Sequence, residues 1–296
     1  MTVPGGSAGS PTVRRRRLAA ELRGIREGRG EKLEAVANAL DWSSSRISRY
    51  ERAEGGLRPR DVATLLAHYQ VAGQRRDQLL ALAQEAAQKG WWEDYSDVSS
   101  PDFMQFVGLE AEATSIAVWH SEVVNGLLQT ERYARAILDE YTQVEPSAPG
   151  IIERRVQLRM QRQHVLRRDP PLNLVVVLDE SILLRRIGDE SVMYEQLQRL
   201  ASEADRPEVT LQIRPLRGRK SVVADSFVIF RFGPEHNAIL HDVVATEGLK
   251  TAFYVEGQQE THLHRIVFDI QLAASLDPVL SKELILDTAE SLWRSQ

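Results

Sequence analysis

The stretch 42-WSSSRISRYERAEGG-56 decides how the whole chain is read. It is crowded with serine and arginine and carries few apolar residues, yet its spacing is helical. On a helical wheel Ile47, Tyr50, Glu51 and Glu54 fall on one side, while Ser44, Ser45, Ser48, Arg49 and Arg52 fall on the other. One face packs and the other is offered to a partner. Ser43 stands just before the run with the short side-chain oxygen that suits an N-cap, and the Gly55-Gly56 pair is expected to stop the helix.

Working outward, Leu18, Leu22 and Ile25 predict a helix from Arg15 to about Arg26, closed by Gly28-Arg29-Gly30. Leu33, Val36, Ala37 and Leu40 predict a short second helix, which Asp41-Trp42 interrupts. After the quoted stretch, Arg58-Pro59-Arg60-Asp61 opens a fourth helix bearing Val62, Leu65, Leu66 and Tyr69, and a fifth carries Leu79, Leu80 and Leu82. Residues 1–12, rich in Gly, Ser and Pro, are expected to form a disordered tail. Short helices in this order, with a turn of about three or four residues between the second and third, make an all-α helix-turn-helix domain over residues 13–88.

The third helix would then enter the major groove of double-stranded DNA. The expected contact set is Ser43, Ser44, Ser45, Arg46, Ser48, Arg49, Arg52 and Arg58. Short hydroxyls can approach base edges or phosphates, Arg49 can lay a bidentate fork on guanine, and Arg52, farther along, suits a phosphate. In an isolated helix such a face would simply be solvated; the turn, the helices that follow and the local charge favour nucleic acid. Residues 1–80 hold 15 Lys and Arg against 9 Asp and Glu, a net +6, whereas the remainder is −11. A basic small module is joined to an acidic larger one, so a polyanion is expected to meet the first and not the second. Arg14 to Arg17 open the first helix, where they either meet phosphates or form a solvated basic arm.

The 296 residues, 43% hydrophobic and 27% charged, suffice for two domains. No apolar run reaches the roughly 18–20 residues of a bilayer helix, and the first residues lack the pattern of a secretory signal, so a cytoplasmic, nucleoid-associated protein with no membrane partner is expected. With no cysteine there are no disulfides, thiolate metal sites or cysteine nucleophiles.

From Gly90-Trp91-Trp92 the composition changes, and residues 89–296 read as a larger α+β domain with a roughly five-stranded mixed or antiparallel sheet. The expected strands are LNLVVVLD, EVTLQIRPL, SFVIFRF, NAILHDVV and TAFYVEG. The expected helices span Phe103 to Ala117, a segment capped by Thr130, residues 149–168 from Pro149, a segment near Ser191 to Glu203, and stretches after His262.

These residues also carry a resemblance. LEAVANALDWSSSRISRYERAEGGLRPRDVATLLAHYQV resembles the DNA-binding domain of the XRE (lambda repressor-like) regulators, with Ser45, Ile47, Ser48 and Glu51 at the motif positions of the third helix. Lys32 stands where that family commonly has a Thr or Ser cap, and Asp41 where its turn usually has Gly. The remainder resembles the actinobacterial antitoxin-like C-terminal domain that includes the WhiJ-like regulators. Its landmarks are GWW at Gly90–Trp92, LE at Leu109-Glu110, GLLQT at Gly126–Thr130, LDE at Leu178–Glu180 and QL at Gln196-Leu197, with Asn125 replacing a usual Pro. The resemblance implies a transcription regulator, and a regulated contact with a small protein encoded by a neighbouring gene.

No catalytic or metal site and no cofactor is expected. His262 and His264 would share a face in a strand, but two histidines make a poor site. Asp179-Glu180-Ser181 reads as a helix start after a strand, and Trp92, Trp119 and Tyr133 as core rather than pocket. Three readings remain: a homodimeric sequence-specific regulator whose second domain dimerises and senses a ligand or partner; an enzyme tethered to DNA; and an antitoxin-like protein that sequesters a small partner and autoregulates its operon.

Overall fold

A computed structural model describes residues 11–53, 57–218, 222–233, 242–247, 252–256 and 258–294. The chain forms two compact units, the first over residues 1–93 and 233–240 and the second over 94–232 and 241–296; the first boundary falls within a short 3-10 turn over Trp91–Tyr95.

The first unit contains α1 (Pro11–Gly28), α2 (Leu33–Leu40), α3 (Ser44–Glu51), α4 (Pro59–His68) and α5 (Gly73–Ala86). Leu18 and Leu22 of α1, Val36 and Ala37 of α2, Ile47 of α3, Val62, Leu65 and Leu66 of α4 and Leu79 and Leu82 of α5 meet in one buried cluster. Pro11 and Thr12, expected in the tail, belong to α1; residues 1–10 lie outside the described residues. The third helix ends at Glu51, with Arg52 as its C-cap and Ala53 at a positive φ of 57°, so it closes before the Gly55-Gly56 pair, which is also outside the described residues. Gly90 serves Trp92, whose buried indole occupies the space that a Cβ on residue 90 would take.

The second unit is built on a mixed six-stranded sheet: β1 (Ser115–His120), β2 (Asn173–Asp179), β3 (Val209–Arg214), β4 (Phe227–Arg231), β5 (Val243–Glu247) and β6 (Ala252–Val255), in the order β3-β2-β1-β4-β5-β6. The pairs β1–β2 and β2–β3 are parallel, and β1–β4, β4–β5 and β5–β6 are antiparallel. Its helices are α6 (Pro101–Glu112), α7 (Glu131–Tyr141), α8 (Pro149–Arg162), α9 (Ser181–Leu184), α10 (Glu190–Glu203), α11 (Gln258–Ala274) and α12 (Pro278–Thr288). Three readings need correction. The helix expected to reach Ala117 stops at Glu112, and SIAVWH is the sixth strand, hydrogen-bonded on both sides and buried across its four central residues. A short apolar run buried on both faces lacks the alternation that separates strand from helix. The strand expected over residues 237–244 begins at Val243, while residues 234–241 lie outside the described residues. The helix expected over residues 149–168 closes at Arg162 and tightens into a 3-10 turn over Gln163–Leu166.

On one face of the sheet Phe268 of α11 packs with Trp119, Val177, Phe227, Ile229 and Val244. On the other, Phe106 of α6 meets Phe230 edge to face at 5.1 Å between ring centres. The LE, GLLQT and QL landmarks belong to one buried polar spine behind this face. Arg162 Nε and Nη2 donate to the two Glu110 oxygens at 2.8 Å each. A Cβ on Gly126 would stand 3.2 Å from the Arg162 guanidinium, which explains glycine there. Gln129 Nε2 donates to the Val124 carbonyl at 2.7 Å, and Gln196 both accepts from Thr130 N at 2.7 Å and donates to the Leu128 carbonyl at 2.8 Å. Buried backbone polar groups in this irregular segment need such partners, and the glutamines supply them.

Candidate nucleic-acid interface

Asp41 ends α2 in the left-handed conformation, φ 53° and ψ 43°, a position that Asp tolerates better than most non-glycine residues. The Trp42 N–H then closes on the Ala37 carbonyl at 2.9 Å, and Ser43 caps α3 by accepting from Arg46 N at 3.2 Å. Lys32 makes no side-chain cap on α2. The turn between the two helices is therefore Asp41–Ser43, set by a C-cap, an N-cap and a half-buried tryptophan.

From behind, α3 is held by Ile47, which is buried, and by a fork that the sequence reading did not find. Arg26 of α1 donates from Nε to Glu51 Oε1 at 2.6 Å and from Nη2 to Glu51 Oε2 at 2.8 Å, while its Nη1 reaches the Glu31 carbonyl at 2.8 Å. The hydrogen bond to Glu51 raises Arg26 above the ordinary arginine pKa against the cost of its burial. Beside this pair the Tyr69 phenol is pushed up to about 12, first by burial and then by the Glu51 charge.

On the outward side Ser44, Ser45 and Arg49 are exposed, and Arg49 has no hydrogen-bond or ion-pair partner among the described residues. Ser45 Oγ lies 3.0 Å from Ser43 Oγ, and Ser48 accepts from Arg52 Nη1 at 2.9 Å, so these residues share one hydroxyl-rich surface. Arg58 is exposed at the N-cap of α4, without a side-chain cap bond. Free N–H groups at such a terminus suit phosphate oxygens.

Arg46 does not join this surface. Its Nη2 pairs with Asp61 Oδ2 at 2.9 Å and its Nε donates to the Tyr50 hydroxyl at 3.1 Å, which in turn donates to Asp61 at 2.8 Å. The guanidinium lies 4.0 Å from the centre of the Trp42 ring. Arg46 thus fastens α3 to α4 and to the turn, a positioning role that the sequence did not disclose. Ser43 is likewise engaged as the cap. Arg14 and Arg15 belong to neither a free arm nor an open phosphate site: Arg14 is buried with Glu85 at 3.3 Å, and Arg15 Nε donates to the Ala86 carbonyl at 3.0 Å, both on α5.

His262 and His264 lie on α11, where residues two apart point in different directions, and His264 Nδ1 sits 2.9 Å from the Glu260 carbonyl. No group of three or more His, Cys, Asp or Glu able to hold a metal occurs among the described residues. Asp179 accepts from Ser181 N at 3.1 Å and from Arg214 at 3.0 Å, while Glu180 accepts from Leu216 N at 2.7 Å, so the two carboxylates diverge. Trp92, Trp119 and Tyr133 are buried core.

A second helix clamped by its apolar side, a three-residue turn before it and an outward polar face define a helix-turn-helix domain. Residues 17–79 match a family model described as a helix-turn-helix domain, the kind of module found in DNA-binding regulators, and residues 103–287 match one described as a domain of unknown function, DUF5753. The chain belongs to this DUF5753 family. No curated protein and no solved structure matches it. No helix among the described residues is long and apolar enough to cross a membrane.

Proposed function

We propose that the chain is a sequence-specific, dimeric transcriptional regulator of the XRE type. In this reading α3 reads the DNA major groove, and the second unit holds the dimer and senses a ligand or partner protein. The observation that carries this is the division of labour on α3: Ile47, Glu51 and Arg46 fix it from behind, and Ser44, Ser45, Ser48, Arg49 and Arg52 are left facing outward. Arg49 presents a fork to guanine, Arg52 and Arg58 lie toward phosphates, and the basic excess of the first 80 residues supplies the sequence-independent attraction. One such helix contacts too few bases for useful discrimination, and two half-sites about one helical turn apart supply it. The same reading assigns the chain no catalysis of its own, a place at the nucleoid in the cytoplasm, and the small protein of a neighbouring gene as a further partner.

Genomic footprinting of the intact protein, with and without Arg49→Ala, tests this. Discrete pseudo-palindromic sites should appear for the natural chain. The substitution should relax one base position at a cost of about 1–3 kcal/mol in binding. An unchanged footprint would remove Arg49 from the reading set, and a lack of discrete sites in both would favour an antitoxin-like role in which partner capture is the main task.

A further inference from the structure

We infer that the outer face of α11 joins two copies of this chain, an inference that rests on the dimeric reading above and gives it a place. The inner side of α11 is occupied: Thr261, Phe268, Gln271 and Ala274 are buried against the second unit. A surface helix ordinarily opposes such a stripe with polar residues. Here the opposite side carries Leu263, 57% exposed, Ile266, 42%, and Ile270, 37%. These residues recur at intervals of three and four, and Ala273 continues the series, which is the spacing of a helix–helix seam.

Other exposed apolar residues lie near the same helix. Gln271 Nε2 donates to the Val222 carbonyl at 2.6 Å and so brings Val222 and the 96%-exposed Val223 alongside α11. Val255 packs into the core beneath α11, so Phe253, two residues earlier on the edge strand β6 and largely exposed, points from the same face of the sheet. Exposed apolar residues repeated at this helical spacing mark an interaction site.

Charge selects the occupant. His262 and Asp269 are both exposed on one flank of the seam. An antiparallel pair that seats Leu263 against Ile266 of a second copy sets His262 beside Asp269 of that copy, and two-fold symmetry repeats the contact. The face is therefore complementary to itself: apolar along the middle, with a ring N–H donor against a carboxylate at each end.

Sedimentation equilibrium of the full chain, with circular dichroism as the check on folding, tests the assignment. The natural chain should associate reversibly to twice its mass. Ile266→Glu, at an exposed position, should keep its helical signal and self-associate at least about tenfold more weakly, because a carboxylate in the seam has no partner. Asp269→Arg should weaken the dimer, and His262→Glu added to it should restore it. A natural chain that stays monomeric, an Ile266→Glu variant as dimeric as the natural chain, or a failed rescue would each overturn the assignment. Discrete genomic footprints would persist in the second and third cases, which separates a misplaced dimer contact from failure of the regulator reading.

Discussion

Arg26–Glu51 in the first unit and Arg162–Glu110 in the second are the same chemical object in two settings: two N–H donors of one guanidinium laid along the two oxygens of one carboxylate at 2.6–2.8 Å. The second is sealed. Its side chains are 4% and 2% exposed, and the guanidinium lies 5.1 and 5.3 Å from the ring centres of Phe103 and Phe106. The first is more open, at 10% and 7%, and shares its arginine with the Glu31 carbonyl and, at 3.4 Å, with Glu27. A carboxylate lost from a fork buried this deeply leaves a guanidinium that is poorly solvated, whereas a fork nearer the rim is better screened. The difference teaches that identical geometry serves integrity in the second unit and placement of a presenting helix in the first.

The largest effect should follow from breaking the sealed pair. Glu110→Gln keeps the volume and removes the charge that Arg162 needs, and should destabilise the second unit by about 3–5 kcal/mol. Denaturant unfolding followed through tryptophan fluorescence checks this; a loss below about 1 kcal/mol would show that burial does not make this pair costlier to break than the one nearer the rim, and that the comparison fails.

Glu51→Gln should cost less, about 1.5–3 kcal/mol, because Arg26 retains the Glu31 carbonyl and one amide oxygen. Its distinctive consequence is functional. DNA affinity should fall under conditions in which circular dichroism shows the protein fully folded, since α3 is no longer drawn toward α1. Full affinity in a folded Glu51→Gln protein would show that Ile47 and Arg46 suffice to hold the helix.

What the sequence disclosed follows the same division. The cap at Ser43, the left-handed Asp41 and the wheel that put Ile47 and Glu51 inside were legible because each depends on residues within one turn. The partner of Glu51 was not, although a signal existed: Arg26 follows Leu18 and Leu22 at intervals of four, so a charge stands on the buried stripe of α1 and calls for an opposite charge facing it. The engagement of Arg46 was not legible either, because it depends on where α4 delivers Asp61, a contact across 15 positions that no local pattern encodes. For β1 the obstacle was burial itself, since a strand paired on both sides and covered on both faces loses its alternation.

The smallest effect separates support from contact at the scale of two adjacent serines. Ser43 and Ser44 are both exposed at the start of α3, and only Ser43 accepts the Arg46 N–H. Ser43→Ala should lower stability by about 1 kcal/mol through loss of the cap. Ser44→Ala should stay within about 0.5 kcal/mol of the natural chain, since it removes an exposed hydroxyl with no hydrogen-bond partner among the described residues. In DNA binding the order should reverse once both proteins are folded: Ser44→Ala weakens the complex, and Ser43→Ala leaves it nearly unchanged, because its hydroxyl is already spent on the helix. Thermal melts paired with a binding isotherm for each variant resolve the two effects. Equal loss of affinity in both would mean that Ser43 leaves its cap to meet DNA, and that the presenting helix is reorganised on binding.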